Sequence, residues 1–340
     1  MTYRRGDTDG FAYRRKVTID SGLVDGDLTN FPILISDTYG YLKSYPVGKV
    51  RQPGAKDIIF TDLGGNLLSF EIEKWNSTTG ELIAWVNVPL LSGGTDTKIW
   101  MYYGNTDIVT SMESTATWDD DFKRVYHMDD LTPTSVDDST SNSSDGVKVG
   151  ANNPIKTSSG KIGDAQSFNG STSLINLTYE NLGTSVSYEM WVKLGGSGSN
   201  NVITFMRNMF RITPTAVVWS PDLATFPSAS QVIDSSWRHV AVTQVGTDYV
   251  IYFDGASIGS GTTNVVNTTS QSNQIGAFSS SDHFEGVMDE VRISSTARDA
   301  DWVGTEFTNQ DDPTTFYSVG DEQPNKKYHY RGRSRIIYNK

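Results

Sequence analysis

WRHVAVTQVGTDYVIYFDG, residues 237–255, reads as two short strands and the turn that follows them. In RHVAVTQV (238–245) and DYVIYF (248–253), β-branched and aromatic residues crowd into runs too short for helices, the composition of strands half or wholly buried. Asp254-Gly255 comes next, and both residue types tolerate a positive φ, so a hairpin into a further strand is expected there.

Working outward, the same grammar recurs along the chain. RKVTI (15–19), FPILI (31–35), DIIFT (57–61), LSFEIEKW (68–75), ELIAWVNV (81–88) and KIWMYY (98–103) form one set; ASQVI (229–233) and VMDEVRI (287–293) join the second. Helical candidates are short. SMESTATWDDD (111–121) reads as a linker or single turns, and TARDADWVGTEF (296–307) as one or two turns. Repeated strands without helical crossovers predict an all-β chain of two antiparallel β-sandwich domains rather than a parallel sheet. The expected division is 1–105, a linker at 106–119, a second domain at 120–322 and a tail at 323–340. Ser/Thr/Asn-rich loops at 132–146 and 261–274 have little to bury and belong on the surface.

Composition excludes several chemistries. At 340 residues the chain can bury two cores, and with no cysteine it has no disulfides, thiolate metal sites or thiol nucleophiles. The four histidines, at 127, 239, 283 and 329, are scattered without HExxH spacing. GxGxxG and P-loop patterns are absent. No stretch approaches 18 apolar residues, so no membrane span is expected, and the opening MTYRRGDTDGFAYRR lacks the apolar segment of a signal peptide.

The net charge is −12, yet residues 324–340, PNKKYHYRGRSRIIYNK, carry six Lys and Arg and no acid. Such a segment is expected to dock on an acidic surface, either another copy of the chain or an acidic structural protein. Lys326, Lys327, Arg331, Arg333 and Arg335 would supply the charge, and Tyr328, Tyr330 and Tyr338 the aromatic anchors. Tyr3, Arg4 and Arg5 read as a smaller arm of the same kind. The acidic body argues against nucleic acid as a partner. A virion or extracellular surface assembly is the expected location.

Two resemblances emerge. FAYRRKVTI, NFPILI, AKDIIFTDLGGNLLSFEIEKW and KIWMYYGN make residues 11–105 resemble the family called domain of unknown function 2341. VYHMDD, DDSTSNSSDG, GKIGDAQSFNGSTSLINL, SYEMWVK, the opening stretch and HFEGVMDEVRISSTARDADWV make residues 120–322 similar to concanavalin A-like lectin/glucanase domains of the laminin-G-like type. The second resemblance implies a jelly roll whose relatives bind sugars, support adhesion or act as spacers. It also implies a structural calcium, for which Asp129, Asp137, Asp138 and Asp289 are the candidate ligands.

The resulting expectation is a non-enzymatic structural or adhesive protein, with a carbohydrate-binding module and a glycan hydrolase as alternatives. Jelly-roll glucanases set their carboxylates as ExDxxE or ExDxE along one strand, and Glu285, Asp289 and Glu290 do not match, 289 and 290 pointing to opposite faces. Glu71 and Glu73 share a face about 7 Å apart, near an inverting pair, although a solvated outer face explains the same alternation. Sugar binding wants exposed aromatic surface beside polar groups, which points to Trp219, Phe226 and His283, with Asp222, Asn208 and Arg207 as polar partners. Trp191, Trp237, Tyr252 and Phe253 read as core, and His127 and His239 as buried, satisfied histidines.

Overall fold

The patterned runs form strands, and the strands close into two antiparallel sandwiches. The structure is a computed structural model describing residues 8–149, 154–195, 200–205, 208–221, 226–266, 273–278 and 282–325. The basic-tail residues 326–340, the arm at 3–5, Arg207 and Asp222 lie outside the described residues. No described helix is long and apolar enough to cross a membrane.

In the first sandwich, strand Glu81–Leu91 lies between Leu28–Thr38 and Phe70–Trp75 in a three-stranded sheet. The second sheet has five strands, ordered Tyr317–Val319, Tyr13–Ile19, Thr97–Tyr103 and Ile59–Thr61, with Gln323–Pro324 also pairing with Tyr13–Ile19. Leu82 to Val88 are all buried, without alternation, so Glu81–Leu91 is covered on both faces. One cover is the other sheet. The second domain supplies part of the rest: Trp118, Phe122, Val125, Ile162 and Trp302 belong to the same core as Phe31 and Trp85.

The second sandwich stacks two eight-stranded sheets. One runs Ile155–Thr157, Ala165–Asn169, Glu285–Ser294, Ser185–Leu194, Arg238–Val245, Asp248–Phe253, Ala256–Thr262, with Phe122–Tyr126 also on Glu285–Ser294. The other runs Ser228–Ser230, Ala216–Ser220, Asn208–Thr213, Asn200–Phe205, Gln274–Ile275, Leu174–Asn176, Gly146–Val149, Ser135–Val136. The Asp254-Gly255 hairpin is present, with φ values of 47° and 76° and Phe253 paired with Ala256.

Three expectations about organisation change. TARDADWVGTEF is the start of a 12-residue helix, Ala300–Asp311, capped by Asp299, whose carboxylate accepts a hydrogen bond from Trp302 N at 2.9 Å. Its buried face is mostly polar (Thr305, Glu306, Asn309, Gln310), so it shows little apolar periodicity. Residues 106–119 are more than a linker: Ser114 N donates to Phe70 O at 2.9 Å, and Trp118 is buried against Trp85. Residues 313–324, expected in the second domain and tail, return to the first sandwich, with Val17 paired to Val319 and Tyr13 to Pro324. Both ends of the described chain therefore meet in one sheet.

Helix Ala300–Asp311 ties the two sandwiches together. Asn309 Oδ1 accepts from Leu34 N at 2.7 Å, and Asn309 Nδ2 donates to Leu34 O at 3.1 Å, so one side chain completes the edge strand Leu28–Thr38 as a backbone would. On the helix's other side, Trp191 Nε1 donates to Gln310 Oε1 at 2.6 Å.

Candidate functional site: a charged clasp between the sandwiches

The FEIEKW strand carries the site. Glu71 and Glu73 turn to the same side, Glu73 from a bulge between Ile72 and Lys74, and that side is not solvated. It looks into the second sandwich. Glu71 Oε2 accepts from Trp118 Nε1 at 2.7 Å and Glu71 Oε1 from Ser139 Oγ at 2.8 Å. Glu73 Oε2 accepts from Trp85 Nε1 at 2.9 Å. Both indoles that close the core thus spend their single donor on these carboxylates. Gly163, at φ +62°, presses close to Glu73: a Cβ there would stand 2.8 Å from Oε1.

His127 follows strand Phe122–Tyr126 and enters this pair from the other domain. Its Nε2 lies 3.5 Å from Glu71 Oε2, and its Nδ1 lies 3.5 Å from Glu73 Oε2 and 2.8 Å from Glu290 Oε1. The ring stacks on Trp85, centroids 5.8 Å apart at 18°, with Trp118 tilted at 5.7 Å. Burial opposes a charge on this imidazole, but Glu290, Glu71 and Glu73 together outweigh it and hold its pKa well above the ordinary value. This favours an imidazolium between the indoles; Nδ1 is hydrogen-bonded to Glu290 Oε1, whereas Nε2 faces Glu71 without a hydrogen bond.

Glu290 extends the network. Its backbone sits at φ 50° beside a bulge between strands Glu285–Ser294 and Ser185–Leu194, an arrangement able to re-aim a side chain. Asp289 and Glu290, expected on opposite faces, are both buried. Asp289 Oδ2 accepts from Lys161 N at 2.7 Å and Ile162 N at 2.9 Å, while Oδ1 has no partner. Arg292 Nη2 donates to Glu290 Oε2 at 2.9 Å, Arg292 Nη1 pairs with Glu306, and the guanidinium lies 4.4 Å over the Trp85 ring. Gln310 Nε2 donates to Glu306 Oε1 at 2.8 Å.

The cluster holds more carboxyl groups than cations, and burial acts against charging all of them. Burial raises Glu73 to about 8, with Glu290 adding to the rise and His127 opposing it. Burial, reinforced by Glu290, lifts Asp289 well above the usual range; burial and the neighbouring Glu306 do the same for Glu189. Glu71 is shifted the other way, below the ordinary carboxyl value, because burial is outweighed by His127, Trp118 and Ser139.

Three ligand-type groups, Glu73, His127 and Glu290, present atoms within 4.8 Å of one another, and this is the one such cluster among the described residues. Within it Glu290 is paired with both Arg292 and His127. The four calcium candidates are not brought together as ligands among the described residues. Asp138 spends Oδ1 on Val125 N and Thr140 N (both 3.1 Å) and Oδ2 on Thr140 Oγ1 and Ser144 N (both 2.9 Å), the work of a turn former. Asp289 is bound to backbone amides, Asp137 is exposed and donates its own N–H to Asp130 Oδ1 at 3.2 Å, and Asp129 is half-buried.

The sugar candidates separate as well. Trp219 is fully buried, its Nε1 donating to Gln244 Oε1 at 2.6 Å and its ring tilted against Tyr188, so it is core and not a platform. Asn208 is buried too. Phe226 is exposed and His283 half-buried. Trp191, Tyr252 and Phe253 are core as expected, whereas Trp237 is half-buried. His239 is buried but its Nδ1 lacks a partner, and burial lowers its pKa to about 4. Sequence reasoning passed over Arg292, Glu306 and Glu189; charged residues inside the apolar runs VMDEVRI and SYEMWVK were the available signal.

Comparison with known families agrees with this architecture. Residues 54–144 match the family model of domain of unknown function 2341, and residues 169–304 match that of the concanavalin A-like lectin/glucanases superfamily, in that order. Among solved structures, domain 4 of an extracellular arabinanase from Geobacillus stearothermophilus, in complex with arabinotriose, is similar at 23% identity and a TM-score of 0.45, covering 55% of this chain and 98% of that one. The binding domain of Paraclostridial mosquitocidal protein 1 (14%, TM-score 0.44) covers 55% of this chain and 52% of its own length. The botulinum neurotoxin serotype G binding domain (14%, TM-score 0.43) covers 54% and 50%. The match thus spans about half the length of these toxin domains. A search of curated proteins finds no match.

Proposed function

From a chain that joins a segment of domain of unknown function 2341 to a concanavalin A-like lectin/glucanase segment, we propose a non-catalytic adhesive protein of a surface assembly, its two sandwiches held rigidly together to engage glycans. The observation carrying this reading is where the carboxylates lie. A glycan hydrolase needs two of them facing an open cleft across the scissile bond. One sheet of the second sandwich has no Asp or Glu in any of its eight strands. In the other, Glu189, Asp289 and Glu290 are buried, while Asp248 and Glu285 are exposed at strand starts. Glu71 and Glu73, the best-spaced pair, are closed in by Trp85, Trp118 and His127. This placement among the described strand residues supports the binding reading over the hydrolytic one.

A virion or extracellular assembly is part of the same proposal, supported by the contrast between the acidic body and the basic end. Incubation with immobilised mixed glycans tests the adhesive part: retention without new reducing ends supports it, and product release abolished by Glu71→Gln would sink it. Removing residues 326–340 is expected to abolish incorporation into the assembly with both sandwiches still folded.

A further inference from the structure

The first sandwich has a cleft of about 570 Å³, lined among the described residues by Tyr45, Arg51, Gln52, Trp75, Ser77 and Thr106 of that sandwich and its following segment. Its floor is rigid. The buried Asp57 carboxylate accepts from the backbone amides of Arg51 (2.8 Å), Gln52 (3.0 Å), Gly104 (3.1 Å) and Asn105 (3.1 Å), fixing two walls to one point. Gln52 Nε2 donates to Thr106 O at 2.8 Å, Tyr45 N donates to Val50 O at 2.9 Å, and Ser44 N to Ser77 O at 2.9 Å. Trp75 Nε1 is satisfied by Leu42 O at 2.8 Å, so its contribution to the cleft is ring surface.

Two features face outward from this frame. Tyr45 is 58% exposed, so a ligand can reach its ring. The Arg51 guanidinium lies 3.6 Å over that ring, and among the described residues no carboxylate lies within ion-pair distance of it. Aromatic surface suits the C–H face of a sugar ring, and a guanidinium fork matches a carboxylate in geometry and charge.

We infer that this cleft binds a carboxylate-bearing saccharide, such as a uronate or sialoside, with its ring against Tyr45 and its carboxylate on Arg51. The inference rests on the glycan-adhesion reading and places a ligand site outside the lectin-like sandwich. Asp57 is a positioning residue beneath the site.

Calorimetric titration of the full chain tests it, with oligogalacturonate, hyaluronan oligosaccharide and sialyllactose, each beside its carboxyl-reduced neutral counterpart. At least one acidic sugar is expected to bind, at least tenfold more tightly than its reduced form. Arg51→Gln and Tyr45→Ala should each weaken binding at least tenfold with the melting temperature unchanged. Equal binding of the neutral sugars, wild-type binding by both variants, or no binding by any acidic sugar would overturn it. Retention of both variants on the mixed-glycan surface would remove the cleft and leave adhesion standing; failure of the intact chain to be retained would remove adhesion itself.

Discussion

His127 and Glu71 belong to different sandwiches, yet Nε2 of one lies 3.5 Å from Oε2 of the other. This contact makes the domain boundary a core and not a hinge. An aromatic floor of Trp85 and Trp118 excludes water, and the charges above it are paired within that dry space. Breaking a buried ion pair by removing one partner is costly because the other charge is stranded.

Replacing the histidine therefore has a defined consequence. His127→Gln leaves Glu71 and Glu290 without their shared cation and is expected to destabilise the chain by about 3–5 kcal/mol. Urea unfolding followed by fluorescence measures this. A second transition should also emerge as the sandwiches uncouple; a loss below about 1 kcal/mol with one transition would show that the clasp is dispensable.

The pH dependence has two limbs with separate owners. Glu73 holds its proton up to about 8 in the fold, so between the unfolded carboxyl value and 8 the native state binds more protons than the unfolded state. Stability then falls as pH rises across that window, by at most about 1.4 kcal/mol per pH unit for this group. The raised His127 acts in the same direction above its unfolded value. His239, lowered to about 4, gives the opposite slope: the unfolded state takes up the proton first, so stability falls as pH drops from the ordinary histidine range towards 4. Glu73→Gln, a neutral isostere, should lessen the alkaline slope, leaving the share of His127, Asp289 and Glu189, and keep the His239 contribution on the acid side, as read from melting temperatures between pH 4 and 9.

Trp219 and Phe226 offer a contrast between core and surface. Trp219→Ala is expected to cost about 3–5 kcal/mol through an unfilled cavity and a stranded Gln244. Phe226→Ala, at an exposed site, should stay within about 0.5 kcal/mol. Similar effects from the two would contradict the placement of Trp219.

Asn309 reports on the helix that bridges the sandwiches. Asn309→Leu removes both partners of the Leu34 backbone and should cost about 1–3 kcal/mol. Hydrogen exchange at the Leu34 amide should quicken before that of the central strand Glu81–Leu91.

The strands were legible because alternation is local: RHVAVTQV and DYVIYF announce their pairing, and Asp254-Gly255 announces its turn. The clasp was only half legible. Period two shows that Glu71 and Glu73 share a face, but nothing local tells what covers it, so a solvated face and a sealed interface share one pattern. The helix at 300–311 was under-read because its buried residues bond the neighbouring sandwiches through polar atoms. Trp219 was misplaced because a tryptophan beside a turn reads alike whether it caps the core or faces water. The strands at 317–319 and 323–324 are too short to carry a period, and they exist because Tyr13–Ile19 offers them an edge.

The protonation state of His127 tests the central claim most directly. Nitrogen-15 NMR of the imidazole across pH 5–9 should show both ring nitrogens protonated well beyond pH 6.5, the ordinary histidine value. A neutral ring by pH 7 would contradict it, because the charge said to lock the sandwiches would be absent.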